Sequence, residues 1–200
     1  MKRIFYITLA LVAVLAWRDW RMREIAHPPG VLVPEVPRQS LAEVGGVVEY
    51  KGYRLTRRAS YVIRARVLSR EDYYLGMESD LSPMDLAFGW GPMSDQAILD
   101  RIEVSQGGRW YFTRYELPAP LPDSSIIRNS GNVHMIPAGV GVEAALKRVR
   151  KGDIVTARGY LVDVDSDDGF FWRTSLTRED TGGGSCEVMY LESLQIEERP

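Results

Sequence analysis

Residues Gly152–Ile196, GDIVTARGYLVDVDSDDGFFWRTSLTREDTGGGSCEVMYLESLQI, read as strand, acidic turn, strand, glycine loop and strand, and this reading decides the fold class. Val155, Ala157, Gly159 and Leu161 fall at every second position, the period of a strand with one buried face. Gly159 lacks a Cβ and permits the bend or bulge that curls a sheet. Asp168-Gly169 is a hairpin turn signal, and Phe170–Leu176 returns from it. Gly182, Gly183 and Gly184 then lead into a last strand, Glu187–Ile196. Cys186, the only cysteine in the chain, enters that strand.

Upstream, Val142, Ala145, Leu146 and Val149 recur at helical spacing, and Lys147, Arg148, Arg150, Lys151 and Gly152 supply C-terminal signals. One amphipathic helix is therefore expected against the sheet. Ile102 and Val104 alternate with polar residues, Gln106-Gly107-Gly108 turns the chain, and Arg109–Tyr115 is strongly aromatic, which predicts a hairpin. Ser82-Pro83-Met84-Asp85 carries the marks of a helix start, with Asp85 at a capping-box position. Ser94 with Asp95 opens a second short helix over Gln96–Asp100. Tyr61–Leu68 is a strand in which Ile63, Ala65 and Val67 alternate with Arg64 and Arg66.

Charge separates the parts of the chain. Residues 51–70 hold seven basic side chains and no acid, whereas residues 152–200 hold 4 basic and 11 acidic groups. The basic run is read as a strand face that pairs with the acidic C-terminal part. Residues 1–23 differ from the rest: Met1-Lys2-Arg3 is basic, Ile4–Ala16 has no charge, and Trp17 and Trp20 suit a membrane interface. They predict an uncleaved transmembrane signal-anchor in the inner membrane through residues 1–20. A removed signal peptide or an interfacial helix are the alternatives. Residues 24–48, with four prolines between Pro28 and Pro37, read as an extended spacer whose apolar residues can pack on the domain and whose His27 is solvated. The domain proper is 49–200, facing the periplasm. Beyond residue 23 the chain carries 20 basic and 26 acidic groups, which argues against a nucleic-acid partner.

Three sets of residues suggest chemistry. Cys186 with His134 has the makings of a thiol nucleophile and its base, with Asp180, Asn129 or Asn132 to orient the ring. The competing reading is a small buried hydrophobe behind a glycine turn, with its thiol pointing inward. Asp163, Asp165 and Asp167 have the first spacing of a calcium loop, but the glycine position holds Asp168 and the twelfth holds Thr174. Trp90, between two glycines, Asn132 and Arg173 are candidate binding residues, Trp90 more simply a core aromatic. There is no Walker loop, GxSxG, HExxH or CxxC, and no cofactor is expected.

Several segments resemble a family of exported or membrane-anchored proteins of Gram-negative bacteria with no established activity. They are HPPGVL at His27–Leu32, SREDY at Ser69–Tyr73, LSP at Leu81–Pro83, GWG at Gly89–Gly91 and MSD at Met93–Asp95. NVHMIPA at Asn132–Ala138 and SLTREDTG at Ser175–Gly182, with Cys186-Glu187, complete the set. The resemblance implies export and one shared fold, and it transfers no catalytic residue. The expectation is an α+β, mainly antiparallel β domain: a small curled sheet or OB-like partial barrel with one covering amphipathic helix. The expected function is a membrane-tethered, non-enzymatic binding or accessory domain of the cell envelope with a protein or small-molecule partner. The alternative is an envelope hydrolase or transferase using Cys186 and His134.

Overall fold

One strand touches nearly every part of the sheet. A computed structural model describes residues 2–41, 45–177, 182 and 184–199. Its elements, in order, are α1 (Lys2–Arg21), β1 (Arg38–Ser40), β2 (Val47–Tyr50), β3 (Tyr53–Asp72), α2 (Met77–Leu81), β4 (Met84–Gly89), a 3-10 turn (Gly91–Ser94), α3 (Gln96–Leu99), β5 (Ile102–Gly107), β6 (Trp110–Tyr115), α4 (Asp123–Arg128), β7 (Ser130–Pro137), α5 (Val140–Leu146), β8 (Ile154–Ser166), β9 (Phe171–Trp172) and β10 (Glu187–Ile196). On β3 the side chains of Ala59, Tyr61, Ile63, Ala65 and Val67 are buried on one face, as the alternation requires. The register slips at Arg58 against β8 and at Leu68 against β4. Each slip is a bulge, and bulges bend a strand.

Bent in this way, β3 serves two partners. Residues Tyr53–Arg66 pair with β8, and Arg66–Asp72 pair with β4. From β4 the sheet continues through β7 and β10 to β8, which closes this path back onto β3. Only the β7–β10 pair is parallel among the described strands. This five-strand path has the arrangement of an OB-like partial barrel. The eight-stranded sheet as a whole is curled rather than a closed barrel, with β1, β2 and β9 added off this path. The fold is thus α+β and mainly antiparallel, on a sheet larger than the sequence suggested.

Gly159 acts as expected. It lies opposite Leu191 where the β8–β10 register skips Glu192, and a Cβ there would stand 2.0 Å from the Tyr190 carbonyl oxygen. Inside the curl Met84, Leu86 and Phe88 of β4 meet Val133 and Met135 of β7, and α5 covers the end with Leu146. The charge reading also holds: Arg58 pairs with Asp163, Arg54 with Asp167 at 3.5 Å, and Arg64 with Glu197 at 2.6 Å.

Three expectations are corrected. Ser82–Asp85 is no helix start; the helix α2 lies before it, and Met84–Gly89 is a strand buried on both faces. With both faces covered, no polar alternation marks it as a strand. The proline-rich stretch packs on the body through its apolar residues: Val33 is in the core, Ser94 Oγ accepts from the Leu32 and Val33 amides at 3.1 and 3.0 Å, and β1 pairs with β3. His27, read as solvated, donates from Nε2 to the Gly152 carbonyl at 2.8 Å.

The third correction concerns residues 1–20. Lys2–Arg21 form a helix, but no helix among the described residues is long and apolar enough to cross a membrane. The charge-free run Ile4–Ala16 is 13 residues, about 20 Å of helix against a hydrocarbon core of about 30 Å. The transmembrane and signal-anchor readings fall with it.

Candidate functional site

The alternation along β4 and β7 sends one set of side chains into the curl and the other set outward. Asp85 and Ala87 of β4 face outward, and the register places them against His134 and Asn132 of β7. Asp85 is wholly buried and His134 is 3% exposed, so both sit beneath something. Around them stand Arg109 and Trp110 of the β5–β6 hairpin, Glu78 between β3 and β4, and Trp172, Arg173, Gly182 and Gly184.

The hairpin turn is Gly108-Arg109, with φ of +59° and +72°. Positive φ at both central residues matches the twist of paired strands. For arginine this conformation is disfavoured, so something must hold it. Its guanidinium places one nitrogen 2.8 Å from Asp85 Oδ1, donates to the Ser82 carbonyl at 2.9 Å, and lies 3.7 Å from the Tyr73 ring centroid. Its backbone amide donates to the Tyr73 hydroxyl at 3.0 Å. Arg109 thus pins the hairpin onto the outer face of β4.

Asp85 carries a second partner. Its Oδ2 lies 2.9 Å from His134 Nδ1, although the approach is off the angle of a hydrogen bond. The Trp172 ring of β9 lies over the imidazole, centroids 4.4 Å apart. Tyr73, shut in beside this carboxylate, has its hydroxyl pushed up to about 12, first by burial and then by the negative charge of Asp85.

Next to the histidine the thiol comes into the same face. Asn132 Nδ2 donates to the Arg109 carbonyl at 3.2 Å and lies 3.7 Å from Cys186 Sγ, and Asn132 Oδ1 accepts from Gln106 at 2.7 Å. Cys186 makes no disulfide and is half-buried. It borders two adjoining cavities that also share Trp110 and Gly182. One, about 200 Å³, runs toward Trp90, Tyr111 and Glu187; the other, about 170 Å³, runs toward His134, Trp172, Arg109 and Arg173. Burial also raises the Tyr111 hydroxyl, which lies 3.2 Å from Ser130 Oγ in the first.

Of the residues singled out in the sequence, Cys186, His134, Asn132 and Arg173 meet here, and Trp90 forms a core wall of the larger cavity. Asp180 lies outside the described residues. The aspartates Asp163, Asp165 and Asp167 each lie against an arginine: Arg58, Arg173 of this site at 2.5 Å and Arg54. Among the described residues no three metal-ligating side chains converge.

Asp85, Arg109, Tyr73 and Trp172 were not visible in advance as site residues. Asp85 imitated a helix cap, and Arg109 stood in a run of aromatics. The one local hint was the Gly107-Gly108-Arg109 turn. No family model, no curated protein and no solved structure matches this chain.

Proposed function

We propose that the domain is a binding module that takes a small ligand, aromatic or apolar in its body and polar at one end, in the divided cavity over the outer face of β4 and β7. The observation that carries this reading is the placement of Cys186 and Trp110 on both cavities, with the buried His134–Asp85 pair at the wall of one. Concave sites lined by aromatics with a few converging polar groups suit such ligands. The polar end has the guanidinium donors of Arg109 and Arg173, each already paired with a carboxylate, and the flat walls are Trp110 and Trp172. In an OB-like domain this face is also where ligands bind, an analogy of fold that supports the position alone.

The test uses 1-anilinonaphthalene-8-sulfonate, an aromatic body with one anionic group, and reads alkylation of Cys186 by iodoacetamide in the native protein. Saturable protection of the thiol, weakened about tenfold or more by Trp172→Ala with the fold intact by circular dichroism, is expected from loss of a ring contact and its buried area. Unaltered alkylation at saturating probe would overturn the reading.

A further inference from the structure

The cavity holds two polar side chains of complementary chemistry, a thiol and an imidazole, and we propose that they act together: Cys186 is an acyl-accepting nucleophile, His134 its proton acceptor, and Asp85 the group that orients the ring. The substrate class is a thioester or activated ester of a small acid. This rests on the binding reading above.

Geometry puts the pair on one face. Glu187 pairs with Val133 in the β7–β10 ladder, so Cys186, one residue earlier, stands beside Asn132. Its Sγ lies 3.7 Å from the Asn132 amide, which places the thiol on the face that Asn132 shares with His134 two residues along. His134 is a diagonal cross-strand neighbour across a cavity that both line. Its Nδ1 faces Asp85, and among the described residues Nε2 has no protein partner. An imidazole 97% removed from solvent, with one nitrogen turned to a buried carboxylate and its ring lining the cavity that a thiol also borders, is placed where a base is needed. The off-angle contact with Asp85 fits a resting site, since such contacts tighten on occupancy. Asp85, fixed on its other oxygen by Arg109, cannot rotate away.

The steps balance. As Sγ attacks the acyl carbon, the thiol proton passes to His134 Nε2, the Sγ–C bond forms, and the bond from carbon to the leaving sulfur or oxygen breaks. His134 returns its proton to that leaving atom. Water then adds to the acyl carbon and gives a proton to His134, the Sγ–C bond breaks, and the proton goes back to sulfur. The Asn132 amide is the donor beside the reacting sulfur.

The probe is p-nitrophenyl acetate, with p-nitrophenolate release and intact mass as readouts. Wild type is expected to release one fast equivalent per chain and to carry one acetyl group on Cys186. Cys186→Ser abolishes the burst, and His134→Gln slows it about a hundredfold, the span of a lost general base. Asp85→Asn, a change at a positioning residue, shifts the pH at which Cys186 is alkylated by iodoacetamide, a readout that packing alone does not move. Should the variants fail to fold, wild type decides: native alkylation at about pH 6 faster than in the urea-unfolded chain supports the pair, and slower alkylation overturns it. Equal acetylation of wild type and a folded His134→Gln also overturns it. A probe-protected but unreactive Cys186 sinks this inference and leaves the binding reading standing, whereas an unprotected thiol removes both.

Discussion

Arg109 reaches Asp85 across 24 residues of chain, 2.8 Å from Nη1 to Oδ1, from a left-handed backbone at the tip of a hairpin. The carboxylate it meets is wholly buried, and among the described residues its other close partner is His134. A buried charge that loses its counter-ion is expensive, more so than the pair is worth when intact.

Arg109→Ala therefore costs about 3–5 kcal/mol, the usual penalty for stranding one member of a buried pair. Arg109→Gly removes the same charge but relaxes the turn, so it loses slightly less. Urea unfolding of the two variants beside wild type measures both numbers. Equal stability of Arg109→Ala and wild type would show that the pin is ornamental.

Gly159→Ala places a methyl 2.0 Å from the Tyr190 carbonyl oxygen, against backbone on both sides of the bulge. Backbone in the middle of a ladder cannot step aside as a side-chain end can. A loss of about 3 kcal/mol or more is expected, at the upper end of overpacking penalties. Thermal melting reads it, and a melting point within a few degrees of wild type would mean the sheet can open at the bulge.

Ser94→Ala deletes one hydroxyl and orphans two amides, those of Leu32 and Val33. A buried donor left without an acceptor costs about 1–3 kcal/mol. The loss should localise: amide exchange at Leu32 and Val33 speeds up before that of β3 or β8. Uniform acceleration through the sheet would contradict the local account.

Tyr73 gives a pH test. Its hydroxyl is raised from 10.0 to about 12 in the folded state, so the folded protein holds this proton more tightly than the unfolded chain does. The neutral phenol contributes stability that is complete below about pH 10 and is lost as pH rises from there toward 12. Tyr73→Phe should flatten that decline, and difference titration of phenol absorbance against wild type should remove one tyrosine that titrates near 12. A Tyr73 that ionises near the ordinary value would put solvent where the structure has Arg109 and Asp85.

The strands that carry a polar face announced themselves. On β3 the arginines mark the outside, on β8 and β10 the turns and Gly159 mark ends and bend, and the hairpin β5–β6 follows from its glycines. β4 was hidden because a strand covered on both faces has no alternation to show, and its cap-like Ser82 and Asp85 pointed to a helix. The site was half legible. Cys186 and His134 were noticed as chemical types, yet the carboxylate that faces the imidazole is Asp85, from a strand 49 positions before His134 in a chain that says nothing of their pairing. Arg109 acts through a turn conformation, and Trp172 through a two-residue strand, neither of which leaves a periodic trace. The thiol, read as inward-pointing, borders open cavity instead.

The ladder of β3 with β8 has a consequence for the chain as it is made. Tyr53 pairs with Ser166, so about a hundred residues must be synthesised after β3 before its main partner exists, several seconds at ordinary rates. During that interval β3 is a long strand with an unfilled edge, the kind of surface that recruits neighbouring nascent chains. Its six arginines, with acids only at its last two residues, repel a second copy of the same strand. The positive charges that end up neutralised by Asp163, Asp167 and Glu197 thus serve first as a guard, released when the acidic strands arrive.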